Sequence, residues 1–151
     1  MNGILITSGA PSRILTDKRG DQIEALLADR PCEAVSMARK LLQEYPDDER
    51  TLAMCIRTAL RAQAATGKVH LPEDLRSKAR DMAEQRFFSP VFSVLGAAAA
   101  AAFGEDVDLH ALGRAFDMGP EVASRLAGEL MPLFRGKAAE AVRDMMSRRK
   151  P

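Results

Sequence analysis

Residues 89–103, SPVFSVLGAAAAAAF, contain no charged side chain, and their six consecutive alanines leave the stretch without a polar face. A helix of this composition must be covered by protein on every side. It is too short to span a bilayer, which needs about 20 apolar residues. Ser89 and Pro90 suit the cap and first position of a helix. We therefore expect a buried helix over about 90–103, with amphipathic helices packed against its alanines.

The rest of the chain shows helical hydrophobic periodicity from residue 21 onward, and no stretch alternates convincingly enough to form a β-strand. The sequence therefore predicts an all-α fold, a compact bundle of seven or eight helices around the buried Ala-rich helix. Residues 2–20 hold three glycines, a proline and a short apolar run. We expect an irregular N-terminal arm over 1–20 and a single helical domain over 21–151.

Proline, glycine and aspartate mark several helix ends. Pro31 should open a helix that Pro46 ends, Asp47 should cap the next helix, and Gly67 should stop it. Pro72 should be the first residue of a fourth helix. The predicted buried stripe of that helix comprises Leu75, Ala79, Met82, Ala83 and Phe87.

Charge and cysteine content exclude some functional classes. Lys and Arg total 22 against 21 for Asp and Glu, a formal net charge of +1, so there is no bulk electrostatic case for a nucleic-acid or membrane partner. Two cysteines are fewer than a secreted disulfide scaffold uses, and the N-terminus does not resemble a signal peptide. With the Ala and Arg richness, this composition predicts a protein of a bacterial cytosol.

Residues 31–47 resemble the second helix of a tetratricopeptide repeat. Ala34 and Ala38 supply its small residues, and Leu42 precedes the closing Pro46-Asp47. The resemblance covers half a repeat and implies a repeat-like helical hairpin rather than a repeat array. The order of segments is also similar to that of uncharacterised small all-helical bacterial proteins, which supplies no function.

Residues 112–126 resemble a helix-turn-helix. The small and apolar positions of that motif are occupied by Gly113, Phe116, Met118, Val122, Ala123 and Leu126, and Asp117 replaces the turn glycine. The resemblance implies that the second helix would offer Glu121, Ser124 and Arg125 to a DNA major groove. The alternative is that two core helices meet at a Gly-Pro turn, because Glu121 and Glu129 dilute the positive charge around Arg125.

Catalytic and metal-binding patterns are absent from the sequence. His110 lacks a second ligand at the spacing of a compact zinc site, His70 lies in a predicted loop, and no phosphate-binding glycine loop or nucleophile elbow is present. Cys32, in the first turn of its helix, is a conceivable reactive thiol, and Cys55 should be a small core residue. We expect no enzyme activity and no cofactor.

The leading functional hypothesis is a non-catalytic protein-protein interaction module, such as an adaptor, an assembly factor or a secretion-type chaperone. Methionine adapts to irregular surfaces, so Met145 and Met146, with Val142, are the candidate partner-binding residues. The partner would place a helix or peptide in an apolar groove, with no membrane involved and homo-oligomerisation left open. The alternative is a helix-turn-helix DNA-binding regulator that uses Glu121, Ser124 and Arg125.

Overall fold

A computed structural model describes the backbone of residues 13–148 and the side chains of residues 18–148. Within this part the chain forms eight α-helices and one short 3-10 helix, with no β-strand, which confirms the all-α prediction. The α-helices are α1 (Arg13–Asp29), α2 (Pro31–Glu44), α3 (Glu49–Thr66), α4 (Glu73–Gln85), α5 (Pro90–Ala102), α6 (Leu109–Met118), α7 (Pro120–Glu129) and α8 (Gly136–Arg148), and the 3-10 helix is Met131–Leu133.

Helix α5 is the predicted central helix. It packs against α3, α4, α6, α7 and the 3-10 helix, so most of the bundle is arranged around it. The Ser89 hydroxyl accepts a hydrogen bond from the backbone N–H of Phe92 at 3.3 Å, and Pro90 occupies the first turn. Gly104, with φ of 71°, turns the chain away after the last alanine. The covering is incomplete, because Gly96 and Ala100 are only half-buried.

The joint between α6 and α7 rests on the start of α5. Gly119 is the single residue between the two helices, and its φ of −145° is accessible to any residue. A Cβ atom at this position would lie only 2.8 Å from Cγ of Pro90. The ring of Pro90 therefore packs into the space that a side chain at position 119 would need. The close contact fixes α6 and α7 against the N-terminal end of α5.

Helix α1 corrects the predicted N-terminal arm. It begins at Arg13, so residues 13–20 are helical rather than irregular, and residues 1–12 lie outside the described part. Arg19 donates to Glu44 at 2.8 Å, and Gly20 faces the sulfur of Met54. These contacts pack α1 against α2 and α3, and such long-range contacts cannot be predicted from local composition.

The α2–α3 hairpin is formed as expected except at one cap. Asp48, not Asp47, caps α3: its carboxylate accepts from the backbone N–H of Thr51 at 2.9 Å, and Asp47 is exposed in the turn. Gly67 ends α3 with φ of 74°, the left-handed conformation typical of a helix stop.

Helix α4 is shorter than predicted at both ends. Pro72 is its cap rather than its first residue, and the helix ends at Gln85, so Phe87 lies beyond it. Proline disfavours helical geometry in the residue before it, and Ser89 is extended. Phe87 therefore falls in the turn between α4 and α5, where it is 56% exposed, and its assignment to the buried stripe is wrong.

Candidate functional site

The half-buried side of α5 forms the floor of a groove between α4 and α6, here called the α5 groove. Its cavity volume is about 440 Å³. Gly96, Ala97 and Ala100 make up most of the floor, and their lack of long side chains brings the backbone of α5 near the surface. The α4 side contributes Arg76, Arg80 and Phe87, and α6 contributes Arg114.

Three residues that line this groove each carry a buried polar atom without a hydrogen-bond partner. These atoms are Nε of Arg76, Oγ of Ser93 and Nε of Arg114, and among residues 18–148 they are the buried side-chain nitrogen and oxygen atoms that lack one. Buried polar groups in proteins are nearly always hydrogen-bonded, so each exception calls for an explanation. Each of these atoms can donate a hydrogen bond. Three residues of the groove lining therefore carry a polar atom that is both buried and unpaired.

Arg76 is held in place at one end of the groove. Its guanidinium donates to Glu73 at 3.4 Å and to Glu105, and its central carbon lies 4.2 Å from the centre of the Phe103 ring. Ion pairs and ring stacking fix the planar group and leave Nε unused.

Two exposed aromatic rings stand at the other end. Phe87 and Phe88 are 56% and 58% exposed, and their rings meet edge to face with centres 5.8 Å apart. The guanidinium carbon of Arg114 lies 6.0 Å from the centre of Phe87, which links the ring to the α6 wall. Such a pair presents apolar surface directly beside the groove.

The charges along the groove are balanced rather than uniformly positive. Asp108 is already engaged, because its carboxylate accepts from the backbone N–H of Ala111 at 3.0 Å and caps α6. Glu105 is paired with Arg76. The charged lining residues are Arg76, Arg80 and Arg114 on one hand and Glu84, Glu105, Asp106 and Asp108 on the other.

A second and more open cavity, of about 830 Å³, lies between α3, α5 and α7. Arg57 on its wall donates to both oxygens of Glu129, at 2.8 and 2.7 Å, and approaches Glu24 at 2.9 Å. The hydrogen bonds to Glu129 raise the pKa of Arg57. This arginine is therefore engaged within the protein.

The predicted partner-binding residues lie elsewhere, on α8. Val142 is fully buried and belongs to the core, so its assignment to a partner-binding surface is corrected. Met145 and Met146 are half-buried and pack against the core, with the terminal methyl of Met146 beside Gly128. The methionines do not border the α5 groove.

The candidate DNA-reading residues lie on α7, where Glu121 and Arg125 are exposed and Ser124 is half-buried. Asp117, expected in the turn of a helix-turn-helix, is part of α6, and Gly119 alone joins the two helices. Arg125 lines the second cavity and not the α5 groove. The exposed surface of α7 thus presents one acid and one base of the predicted set.

The cysteines and histidines form no compact site in the described part of the chain. Cys55 is buried as expected, and burial raises the pKa of its thiol to about 11, which keeps it protonated at neutral pH. Cys32 is exposed. No group of three or more potential metal ligands comes together among the described residues, and none of the described helices is long and apolar enough to cross a membrane.

Comparison of the chain with protein-family models, with curated proteins and with solved structures found no significant match. The residues of the α5 groove are therefore interpreted from their own chemistry.

Proposed function

We propose that this protein is a non-catalytic interaction module that binds a segment of another protein in the α5 groove. The observation that carries the proposal is Phe87, which is more than half exposed in the lining of the alanine-floored cavity, together with the similarly exposed Phe88 packed edge to face against it. Exposed aromatic side chains beside a concave surface are typical of protein-binding sites.

The rings supply the apolar contribution to binding. Covering the exposed half of a phenylalanine ring removes about 100 Å² from water, which is worth about 2.5 kcal/mol at about 25 cal/mol per Å². Two such rings, already held against each other, lose little side-chain entropy on binding. This contribution suits the modest, reversible affinity of an adaptor, an assembly factor or a chaperone in a bacterial cytosol.

The α5 groove replaces the α8 methionines as the proposed site. Val142 cannot contact a partner without unfolding part of the core, and both methionines already bury part of their apolar surface against the core.

A linear random peptide library, displayed on phage and selected on the full chain, tests the proposal. Selected peptides, synthesised free of the phage, should bind with an affinity that Phe87→Ala lowers about tenfold or more, because the ring is the main apolar contact. The matched control is Val69→Ala, since Val69 is also exposed, at 66%, but is not part of the groove. No selected peptide, or equal losses in both variants, would refute the site.

DNA binding by α7 is the competing function. It has less support, because the exposed surface of α7 carries Glu121 as well as Arg125 and the chain is nearly neutral. Binding of duplex DNA that falls steeply with salt and is abolished by Arg125→Ala would favour the regulator over the interaction module.

A further inference from the structure

We infer that the second cavity, between α3, α5 and α7, is a docking site for the apolar run Ile4-Leu5-Ile6 of the same chain. Residues 4–6 lie outside the described part, so the inference is argued from their sequence and from the cavity itself. It is independent of the proposed function, because no residue lines both the second cavity and the α5 groove.

The composition of the N-terminal segment favours a docked state. Residues 1–12, MNGILITSGAPS, contain no charged side chain, although Asp, Glu, Lys and Arg make up 28% of the chain. The other uncharged stretch of at least this length is 87–104, which contains the central helix α5. Three consecutive large aliphatic side chains are costly to leave in water, so a site on the folded part stabilises them.

The second cavity has a lining that suits an uncharged, apolar occupant. Its apolar lining includes Met54, Val91, Leu95, Val122 and Leu126, of which the first, second and fourth are only half-buried. Glu49 is paired with Arg86, and Arg57 is paired with Glu129. A neutral segment covers the apolar side chains and brings no charge that would need a new partner.

Helix α1 passes along the edge of this cavity. Gly20 lies against Met54, and Glu24 approaches Arg57 at 2.9 Å, and both of these α3 residues line the cavity. The two pairs also show that α1 and α3 run parallel. Helix α1 begins at Arg13, seven residues or about 10 Å before Gly20, which places its start close to the beginning of α3.

The chain before α1 is long enough to return to the cavity. Seven residues separate Arg13 from Ile6, and they span up to about 24 Å when extended. The return to the level of Met54 uses about 10 Å of this, and more than half remains for crossing from α1 to the cavity. Gly9 and Pro11 are residue types that favour the turn such a reversal needs.

Methyl NMR of the full chain tests the contact directly. With ¹³C-labelled methyl groups on Ile, Leu and Val, nuclear Overhauser effects should connect the run 4–6 with Val91 and Val122 of the cavity. No such effects, or effects only to residues outside the cavity, would overturn the inference. So would effects that pass between chains in a mixture of labelled and unlabelled protein, because the cavity would then hold the segment of a second copy.

A pair of charge variants gives the second readout. Leu5→Asp should abolish these effects and shift the methyl resonances of Val91 and Val122, because a carboxylate is costly to bury against apolar side chains. Asn2→Asp adds the same charge in the same segment and should leave both unchanged. The methyl groups of Leu109, on α6 and outside the cavity, should not shift in either variant.

The variants also separate this inference from the proposed function. If Leu5→Asp leaves the methyl resonances of Val91 and Val122 in place, the run does not lie against them and the inference fails. Binding of the library peptides should be the same in both variants, since the α5 groove has a separate lining. Failure of the intramolecular contact therefore leaves the proposed function standing.

Discussion

Gly96 of α5 lies against Ala83 of α4 so closely that a Cβ atom at position 96 would be 2.5 Å from Cβ of Ala83. Real Cβ atoms essentially never approach each other at this distance. The backbone of α5 therefore touches α4 at a point where even alanine does not fit. This contact sets the separation of α4 from α5 and with it the position of one wall of the groove.

Gly96→Ala should destabilise the protein. The added methyl group forces α4 and α5 apart, at a cost of about 1–3 kcal/mol, which exceeds the gain of up to about 1 kcal/mol that alanine has over glycine in a helix. Urea unfolding followed by circular dichroism measures the change in the free energy of unfolding.

Gly113→Ala is the matched control for that substitution. Gly113 lies inside α6, and a Cβ atom there would meet no other atom within 4 Å. The variant should be more stable by about 0.5–1 kcal/mol. If both variants shift stability in the same direction, close packing of α4 on α5 is not what requires glycine at position 96.

Ala98→Glu tests whether α5 is the centre of the fold. Ala98 is fully buried, and a glutamate there would place an unpaired charge in the core. The variant should fail to fold at neutral pH, with loss of the cooperative thermal transition seen by circular dichroism. Ala25→Glu, at an exposed position of α1, should melt within a few degrees of wild type. An Ala98→Glu protein that melts cooperatively near the wild-type temperature would contradict the central position of α5.

The ion pairs of Glu24 should make part of the bundle's folding stability sensitive to acid. Burial alone would raise the pKa of its carboxyl, but the hydrogen bond from Arg61 and the charge of Arg57 together hold that pKa below its usual value of 4.5. Because the folded state then binds the proton more weakly than the unfolded state, the stabilisation is complete above about pH 4.5 and is lost as the pH falls through the lower, folded pKa.

The Glu24→Gln variant lacks this titrating carboxyl. Its free energy of unfolding should therefore fall less than that of wild type when the pH is lowered from 5 to 3. Urea unfolding at a series of pH values gives the comparison. Glu33→Gln is a suitable control, because Glu33 is an exposed carboxylate at 3.5 Å from Arg30. If the free energy of unfolding of Glu24→Gln fell with pH in parallel with that of wild type, the Arg57 and Arg61 contacts would not be the cause of the stability lost in acid.

The sequence predicted the central helix and its start because the residues that determine both lie within that segment. Six alanines without a charge identify α5, and Ser89-Pro90 marks its start, since capping and the missing proline N–H act within one turn. The N-terminal boundary was wrong because α1 extends back to Arg13, and Arg19 within that extension contacts Glu44, 25 residues distant in sequence.

The site was harder to predict. Val142 and Phe87 both continue an apolar helical stripe, and periodicity does not distinguish a side chain that faces the core from one exposed beyond the helix end. Ser93 is the one signal that was available, a polar residue within an apolar stretch. Whether its hydroxyl is paired depends on how α4 and α6 flank α5, which no local pattern specifies.

The most direct test of the account is an NMR titration of the ¹⁵N-labelled full chain with the tightest library peptide. Amide shifts should change at Phe87, Ser93, Gly96 and Arg114, which border the α5 groove, and should stay in place at Met145 and Arg125, which do not. Shifts concentrated on α7 or α8, with those four amides unmoved, would contradict the assignment of the α5 groove as the binding site.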